Sequence, residues 1–232
     1  MTAGQLVLGV KLRDDARFDN FLGERNQAAA QRLAHVCRHP AGVPVVVVCG
    51  DHDTGKSHLL QAVCHDAEQS GQSAVCISLE ELLPFGPAAL AGLEAYPIVC
   101  LDDVDSAAAN PAWEEAIFHL YNRIQDHGGL LVVSMSDVPA SCAFQLADLQ
   151  SRLVHGLLIQ LGVYRDEDRL VILQARAEQR GLVLSDDVAG FIMRRASREL
   201  AELLAILDTL DENSLQAQRR LTVPFVKAVM NW

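Results

Sequence analysis

The sequence lacks several features that would each indicate a class of protein. Its six cysteines show no Cys-x-x-Cys spacing, and several lie inside apolar runs. We therefore expect reduced core residues of a cytoplasmic protein, and neither a disulfide framework nor a zinc site. No apolar stretch approaches the roughly 20 residues needed to span a bilayer, and the N-terminus has no long apolar segment typical of a signal peptide. Membrane insertion and secretion are not expected.

A basic surplus is also absent. The chain has 232 residues and a formal net charge of −11, and residues 1–162 carry 9 Lys and Arg against 19 Asp and Glu. A surface that binds duplex DNA needs positive charge to neutralise phosphates, so we expect no direct sequence-specific DNA binding. Half of the composition is hydrophobic, as in ordinary globular proteins, which argues against disorder for most of the chain.

Strand and helix patterns alternate through the first two thirds of the chain. Continuous apolar runs, each suited to a sheet that is covered on both faces, predict strands at 45–49, 74–79, 98–101 and 130–134. An amphipathic pattern over 113–125 predicts a helix, on which the spacing of Trp113, Phe118 and Tyr121 indicates core packing. The alternation predicts an α/β fold with a parallel sheet and crossover helices.

Only helical periods follow residue 161. They predict helices at 166–179, 186–196 and 199–210 and in a last segment that runs to Trp232. We therefore expect a small all-α domain at this end. The predicted division is an N-terminal tail at 1–17, an α/β domain at 18–162 and a helical domain at 163–232.

A phosphate-binding loop is predicted between the first strand and the helix that follows it. The run Gly50-Asp51-His52-Asp53-Thr54-Gly55-Lys56-Ser57 matches the pattern G-x-x-x-x-G-K-[ST] in full. The glycines allow a tight turn whose N–H groups point at phosphate oxygens, Lys56 supplies a cation, and the Ser57 hydroxyl can bind Mg²⁺. We predict that nucleotide is bound by Gly50, Asp53, Thr54, Gly55, Lys56, Ser57 and the adjoining His58, although the loop histidines are given no chemical role.

A second apolar strand ends in two carboxylates, Asp102 and Asp103. In P-loop proteins a carboxylate at the end of a neighbouring strand holds magnesium through its water shell, and we assign this role to Asp102 together with Ser57. Asp103 is predicted to orient or activate the attacking water. An apolar strand ending in Asp is common and more often marks only the start of a turn; the pairing with the P-loop makes it specific.

Further motifs resemble the AAA+ domain of the bacterial replication initiator DnaA, and they follow one another in the same order over nearly the whole chain. In this chain, Phe18-Asp19-Asn20-Phe21 with Asn26 resembles the N-terminal segment of that domain. Leu149-Gln150-Ser151-Arg152-Leu153 with Gly156-Leu157 resembles its arginine-finger box. Its sensor 1 and sensor 2 motifs are expected at 134–137 and at Arg198-Glu199-Leu200. The initiator continues into a helix-turn-helix DNA-binding domain, whereas this chain ends at Trp232. The chain is therefore identified as a member of the short DnaA-homologous regulators, the Hda family.

The resemblance implies an AAA+ parallel sheet with a small all-α lid domain, which binds ADP or ATP with Mg²⁺ and rests with a diphosphate bound. Arg198 would reach the phosphates from the lid. Arg152 would point outward, so that hydrolysis occurs in the site of DnaA; a guanidinium supplied across an interface can be worth about 10³ to 10⁵ in rate. The alternative for Arg152 is an ordinary surface arginine.

Weak or absent intrinsic hydrolysis is also expected. Many AAA+ ATPases place Glu where this chain has Asp103, and the shorter side chain would sit farther from the attacking water. A misplacement near 1 Å can cost on the order of 10²-fold in rate.

The run Gln5-Leu6-Val7-Leu8-Gly9-Val10 is similar to the peptide with which this family binds the DNA sliding clamp. The side chains of Gln5, Leu6 and Leu8 would dock into an apolar pocket of the clamp, while Gly9 stands where Pro is usual. Alternatively, an apolar hexapeptide near a terminus packs on its own domain or stays disordered.

The function implied by the resemblance is that of a cytoplasmic regulator which, with the DNA-loaded clamp, promotes ATP hydrolysis by DnaA and so prevents repeated initiation. A homodimer or a nucleotide-dependent oligomer is compatible with the head-to-tail interfaces of AAA+ proteins. Two alternatives stay open: an adaptor or helicase-loader-like AAA+ protein that does not trigger hydrolysis, and a P-loop kinase for a small molecule. The kinase leaves the arginine-finger box and the helical lid unexplained.

Overall fold

The computed structural model describes residues 12–13, 15–217 and 221–232, with residues 215–217 described by their backbone alone. Gln5, Leu6 and Leu8 lie outside the described residues. The described chain forms two compact units. One contains the described residues up to Phe21 together with Ala28–Gly162, and the other contains Leu22–Gln27 and Val163–Trp232.

A five-stranded parallel sheet lies at the centre of the first unit, in the order β2-β3-β4-β1-β5. Its strands are β1 (Val45–Cys49), β2 (Ala74–Ser78), β3 (Ile98–Asp102), β4 (Leu130–Met135) and β5 (Leu157–Gln160). The four predicted strands are confirmed to within a residue at each end. The fifth was not predicted, because β5 is a short edge strand whose residues alternate between exposed and more buried and show no long apolar run.

One expectation about the sheet is corrected. We expected the strand that ends in Asp102 to be a neighbour of the strand before the P-loop, but β4 lies between β1 and β3. The connection through the long helix after β3 returns the chain to the gap between these two strands, so β4 pairs with both. Its carboxyl end, at Ser134 and Met135, therefore lies between the P-loop and the two carboxylates.

Both faces of the sheet are covered. Successive residues of a strand point to opposite faces, so Val45 and Val47 of β1 belong to one buried cluster and Val46 and Val48 to another. The helices of this unit are α1 (Glu24–Arg38) from Ala28 onward, α2 (Lys56–Gln69), α3 (Leu79–Leu82), α4 (Pro111–Asp126) and α5 (Ala147–Val154). The first cluster includes residues of α4 and α5, and the second includes residues of α1 and α2.

The longest of these helices, α4, begins at Pro111, where the missing N–H of proline costs no helical hydrogen bond. Its apolar stripe places Trp113 and Tyr121 in the core at 3% and 5% exposure, while Phe118 packs at the margin of the same cluster. Core packing of this stripe, as predicted, is confirmed. All six cysteines are free thiols, and five of them are buried.

The second unit contains four helices, α6 (Asp166–Gln179), α7 (Asp186–Arg195), α8 (Leu200–Ala217) and α9 (Val223–Met230). Their apolar faces share one core, with Leu173, Ile192, Leu207 and Val226 fully or almost fully buried. The all-α character predicted for this end of the chain is confirmed. In the part of the chain that the structure describes, no helix has both the length and the apolar character to cross a bilayer.

Candidate nucleotide-binding site

The P-loop begins where β1 ends, and Gly50 is required there by close packing. Its N–H donates to the carbonyl of Met135 at 3.2 Å. A Cβ at this position would lie 3.0 Å from both the Cβ and the carbonyl oxygen of Leu161 and 2.9 Å from Thr54 Oγ1. Any side chain would push the loop away from the edge of β5, so the first glycine fixes where the loop starts.

Two positive φ angles turn the loop into α2. Asp53 has φ +60° and Gly55 has φ +93°, the left-handed region that glycine adopts without strain. Lys56 then begins α2, a helix of 14 residues with no acidic residue in its first turn. The positive end of the helix dipole and its free N–H groups therefore face the loop without a competing carboxylate, which is the arrangement that binds a phosphate.

The ammonium of Lys56 is held within the loop. Nζ donates to the carbonyls of Gly50 at 2.9 Å and Asp51 at 3.1 Å, and Thr54 Oγ1 donates to the same Asp51 carbonyl at 2.8 Å. Lys56 is only 8% exposed. Among the described residues no carboxylate lies within ion-pair distance of this cation; its direct partners are carbonyl oxygens, and the Asp103 carboxylate acts on it only from farther away. A buried cation in this state fits an anionic ligand such as a nucleotide phosphate.

Asp102 and Asp103 are linked to β4 by one hydroxyl. Ser134, which is fully buried, donates a hydrogen bond to Asp102 Oδ1, and its Oγ accepts one from the Asp103 N–H at 2.8 Å. Asp102 is 7% exposed. From the sequence, Ser134 was predicted only to lie in the sensor 1 stretch, and its contacts with Asp102 and Asp103 were not predicted. These contacts depend on the pairing of β3 with β4, which no local sequence pattern indicates.

Asp103 has a left-handed backbone, with φ +54°, and it lies at the end of a buried strand. Burial, and next the charge of Asp102, raise the pKa of Asp103 to about 6, against the lowering effect of Lys56. A carboxylate with a pKa nearer to neutrality is a better general base than an ordinary Asp. At the rim of the site the N–H and the hydroxyl of Ser136 both donate to Asp105 Oδ2, the N–H at 3.0 Å.

Magnesium could be held only with help from a bound nucleotide. Among the described residues no group of three His, Cys, Asp or Glu side chains is arranged to hold a metal ion. Ser57 is the second residue of α2 and Asp102 ends β3, and the carboxyl ends of parallel strands lie at one edge of a sheet. One hydroxyl and one carboxylate fit a magnesium ion that takes its other ligands from phosphates and water.

His58 is the third residue of α2. Its Nε2 lies 2.9 Å from the carbonyl oxygen of Arg17, and its ring centroid lies 5.5 Å from that of Phe21. The structure therefore brings His58 together with the segment that precedes α1. Asp53 lies beside His52, whose Nδ1 is 3.4 Å from the Asp53 carboxylate.

The two arginines predicted from the resemblance lie in different units. Arg152 is exposed on α5, and its Cζ lies 5.6 Å from the ring centroid of Tyr121 on α4. Arg198 lies between α7 and α8 in the helical unit, where its side chain is 72% exposed and 3.4 Å from Asp166 Oδ2.

A family model described as the Hda lid domain matches residues 166–230. An uncharacterised protein of Haemophilus influenzae is 39% identical over 230 residues, which is 98% of each chain.

Two solved structures show the same fold. Domain III of the replication initiation protein DnaA from Thermotoga maritima has a TM-score of 0.82 at 22% identity, over 95% of this chain and 98% of that one. AMPPCP-bound DnaA from Aquifex aeolicus has a TM-score of 0.71 at 19% identity, over 88% and 68%.

The sheet order, the P-loop after β1, the paired carboxylates after β3 and the helical second unit define an AAA+ module. The match of residues 166–230 to the Hda lid domain identifies one family within this class. The chain belongs to the Hda family, and it has the fold of DnaA domain III.

Proposed function

We propose that this protein promotes hydrolysis of the ATP bound to DnaA by supplying Arg152 across the interface between the two proteins. The observation that carries the proposal is that the Arg152 side chain is exposed and has no carboxylate partner in the described part of the chain. Arg152 is exposed on the unit that holds the P-loop, and no carboxylate among the described residues pairs with it.

An unpaired guanidinium is what a finger residue requires. It is always charged, and its planar donors fit the oxygens of a transferring phosphoryl group. A carboxylate partner would neutralise it, and breaking that pair would oppose its insertion into another site. The α5 position thus supports donation in trans, where such a group can contribute about 10³ to 10⁵ in rate.

Nucleotide binding by the protein itself is the second part of the proposal. The buried Lys56 and the N-terminus of α2 support binding of ADP or ATP, and the related DnaA from Aquifex aeolicus has been solved with AMPPCP. Magnesium, held by Ser57 and Asp102 with the phosphates, would neutralise the charge of the β and γ oxygens. Arg198, from the helical unit, would complete the contacts to the phosphates.

Intrinsic hydrolysis is proposed to be slow, with a diphosphate as the resting ligand. The raised pKa of Asp103 favours proton transfer, but the side chain is one methylene shorter than the Glu of many AAA+ ATPases. An error of about 1 Å in distance costs on the order of 10²-fold, whereas proton transfer by a positioned base contributes about 10² to 10⁴ in total. The distance between the Asp103 carboxylate and the attacking water is therefore expected to limit the rate of intrinsic hydrolysis.

The remaining elements of the proposal concern partners. The protein acts in the cytoplasm with the DNA sliding clamp, which it binds through Gln5, Leu6 and Leu8, and the result is that replication is not initiated again from the same origin. It forms a homodimer or a nucleotide-dependent oligomer, and it makes no sequence-specific contact with DNA.

The experiment compares hydrolysis of DnaA-bound ATP, in the presence of clamp loaded on DNA, for the unmutated protein, Arg152→Ala and Arg32→Ala. Arg32 is a matched control because it is also an exposed arginine of the first unit. We expect stimulation by the unmutated protein and by Arg32→Ala, and none by Arg152→Ala although it still binds the clamp. An adaptor that does not trigger hydrolysis would give no stimulation even when unmutated, and that result would refute the proposal. Stimulation that survives Arg152→Ala would refute the role of Arg152.

A further inference from the structure

The helix that carries Arg152 is held at its N-terminal end by a buried carboxylate of α4. Glu114 is fully buried, and its Oε2 accepts hydrogen bonds from the N–H groups of Gln145 at 2.9 Å and Leu146 at 2.6 Å. Leu146 is the N-cap residue of α5. The other oxygen, Oε1, accepts from the Ala109 N–H at 2.8 Å. A buried carboxyl group needs hydrogen-bond donors, and two of the three that Glu114 has are the N–H groups just before α5, so Glu114 ties the start of α5 to α4.

The far end of α5 is held by a second residue of α4. Tyr121 is 5% exposed, and the guanidinium carbon of Arg152 lies 5.6 Å from its ring centroid. Tyr121 follows Glu114 by about 10.5 Å along α4, and Arg152 follows Leu146 by about 9 Å along α5, at 1.5 Å per residue. The two contacts therefore match in spacing, and together they fix both the place and the axial position of α5 relative to α4.

The ring gives the guanidinium one preferred direction. Arg152 has no carboxylate partner among the described residues, and a long side chain without a partner samples many rotamers. The negative face of an aromatic ring attracts a cation without neutralising it, so the charge stays available to a ligand. Positioning of this kind matters for a finger residue, because small errors in its place cost much of the rate.

We infer that Tyr121 and Glu114 are positioning residues for Arg152: Glu114 anchors the N-terminus of α5, and the Tyr121 ring orients the guanidinium that α5 presents. This inference rests on the proposed function, since it assigns a task to these residues only if Arg152 acts on a partner's nucleotide. Neither residue touches that nucleotide itself.

The test is a titration of DnaA-bound ATP hydrolysis with Tyr121→Leu, Tyr121→Phe and the control Tyr96→Leu, an aromatic residue of the same unit that lies outside this contact. We expect the rate at saturation to fall about tenfold for Tyr121→Leu, with the half-saturating concentration unchanged. Tyr121→Phe keeps the ring and should restore the rate, and Tyr96→Leu should match the unmutated protein. Tyr121→Met, which fills the space with a flexible apolar chain, replaces the Leu variant if that one does not fold.

Two further readouts separate positioning from general loss of structure. In an Arg152→Ala background, Tyr121→Leu should cause no additional loss, because the ring has no guanidinium to orient. In solution the Arg152 δ-protons should show an upfield ring-current shift by NMR that is kept in Tyr121→Phe and lost in Tyr121→Leu. Glu114→Gln should lower the saturating rate and broaden the Arg152 signals, since α5 loses its charged anchor.

The outcomes distinguish this inference from the function on which it rests. If Arg152→Ala stimulates as well as the unmutated protein, the finger mechanism and this inference are both wrong. If Arg152→Ala is inactive but Tyr121→Leu keeps the full saturating rate, only the inference is wrong. It is also overturned if the Arg152 protons show no ring-current shift in the unmutated protein, or if Tyr121→Leu changes only the half-saturating concentration.

Discussion

Ser134 at the end of β4 donates a hydrogen bond to the Oδ1 of Asp102 at the end of β3. The same hydroxyl oxygen accepts from the N–H of Asp103 at 2.8 Å. One buried side chain thus orients the carboxylate assigned to magnesium and fixes the backbone of the residue assigned to the attacking water. Because the hydroxyl uses both its donor and one lone pair here, no apolar residue of similar size can replace it.

Replacement of Ser134 by Ala should therefore destabilise the first unit and weaken the magnesium-dependent part of nucleotide binding. It leaves a buried carboxylate oxygen and a backbone N–H without partners, which costs about 1 to 3 kcal/mol. Loss of a partner that orients a metal ligand typically costs about tenfold or more in metal affinity. Urea unfolding measures the first effect, and ADP affinity with and without Mg²⁺ measures the second.

Ser136→Ala is the control for this prediction. Its hydroxyl also bonds to a carboxylate, that of Asp105, but the pair is exposed at the rim of the site. We expect a cost below about 1 kcal/mol and no change in the effect of Mg²⁺, because water replaces the lost hydroxyl. Equal effects of the two variants would contradict a special role for Ser134.

Replacement of Lys56 by Ala should abolish nucleotide binding with little loss of stability. The ammonium bonds only to carbonyls of its own loop, at 2.9 Å to the buried Gly50 and 3.1 Å to Asp51. Its loss also removes a buried charge that has no carboxylate partner among the described residues, which offsets the loss of these two bonds. Lys56→Arg should not restore binding, since the planar guanidinium does not fit a loop shaped around a compact ammonium. Titration with a fluorescent ADP analogue measures the affinity, with Lys227→Ala in the helical unit as the control.

A Lys56→Ala protein that binds ADP as tightly as the unmutated one would mean that the loop is not the phosphate site. A variant that fails to fold would show instead that the ammonium is needed to close the loop. Thermal unfolding without nucleotide tests whether the variant folds, because only a folding defect lowers the midpoint temperature in the absence of ligand.

The strands that could be predicted from the sequence are those in which the residue type at each position indicates whether that position is buried. Strands β1, β3 and β4 are buried along their whole length, so their apolar runs are unbroken and their ends are clear. Strand β2 lies at the other edge and is only partly buried, but its first four residues are still an unbroken apolar run. Strand β5 lies at the edge, where Leu158 is 40% exposed, and its four residues carry no pattern that differs from a loop.

The same distinction applies to the candidate site. The P-loop is a local motif, and its eight residues could be read directly from the chain. The roles of Ser134 and Glu114 depend on segments about 30 residues away that the order β3-β4 and the packing of α4 bring to them. No spacing in the sequence marks such partners. The place of β4 between β1 and β3 was missed for the same reason, since strand order is not encoded in any one strand.

Gly156→Ala should destabilise the first unit, whereas Gly190→Ala should stabilise the second. A Cβ at 156 would lie 2.7 Å from Val45 Cγ1 and 3.0 Å from the Val45 carbonyl oxygen, so β1 or the end of α5 must move. Overpacking of this kind costs about 1 to 3 kcal/mol. A Cβ at 190 meets only the flexible end of Arg194, at 3.3 Å, and removal of a helical glycine gains about 0.5 to 1 kcal/mol.

Both glycine variants are measured by urea unfolding. Because the two changes are chemically identical and differ only in their surroundings, opposite signs would establish that close packing, and not the loss of a glycine, determines the effect at 156. Effects of the same sign would contradict the packing argument. Gly156→Ala should also reduce the action of Arg152, which lies on the helix that must shift.

Alkylation of the native protein should be slow, confined to Cys142 and strongly dependent on pH. The other five thiols are buried, which shields them from the reagent; burial also raises the pKa of Cys37 to about 12, whereas hydrogen bonds from Cys100 and Cys76 lower that of Cys64. Cys142 is half-buried, and burial followed by the charges of Asp105 and Asp137 raises its pKa to about 11. Only the thiolate reacts, so a raised pKa leaves the thiol protonated and unreactive at neutral pH, and reactivity appears as the pH increases.

The rate of reaction with iodoacetamide should therefore rise about tenfold per pH unit from pH 8 to 10, where an ordinary thiol with a pKa of about 8.5 has already levelled off. Cys142→Ser should remove this slow phase, and urea should expose the remaining five thiols. A rate that levels off near pH 9 would mean that the two aspartates and the surrounding side chains do not shield Cys142. Fast labelling of a second thiol in the native protein would mean that the core next to the sheet opens more readily than its packing indicates.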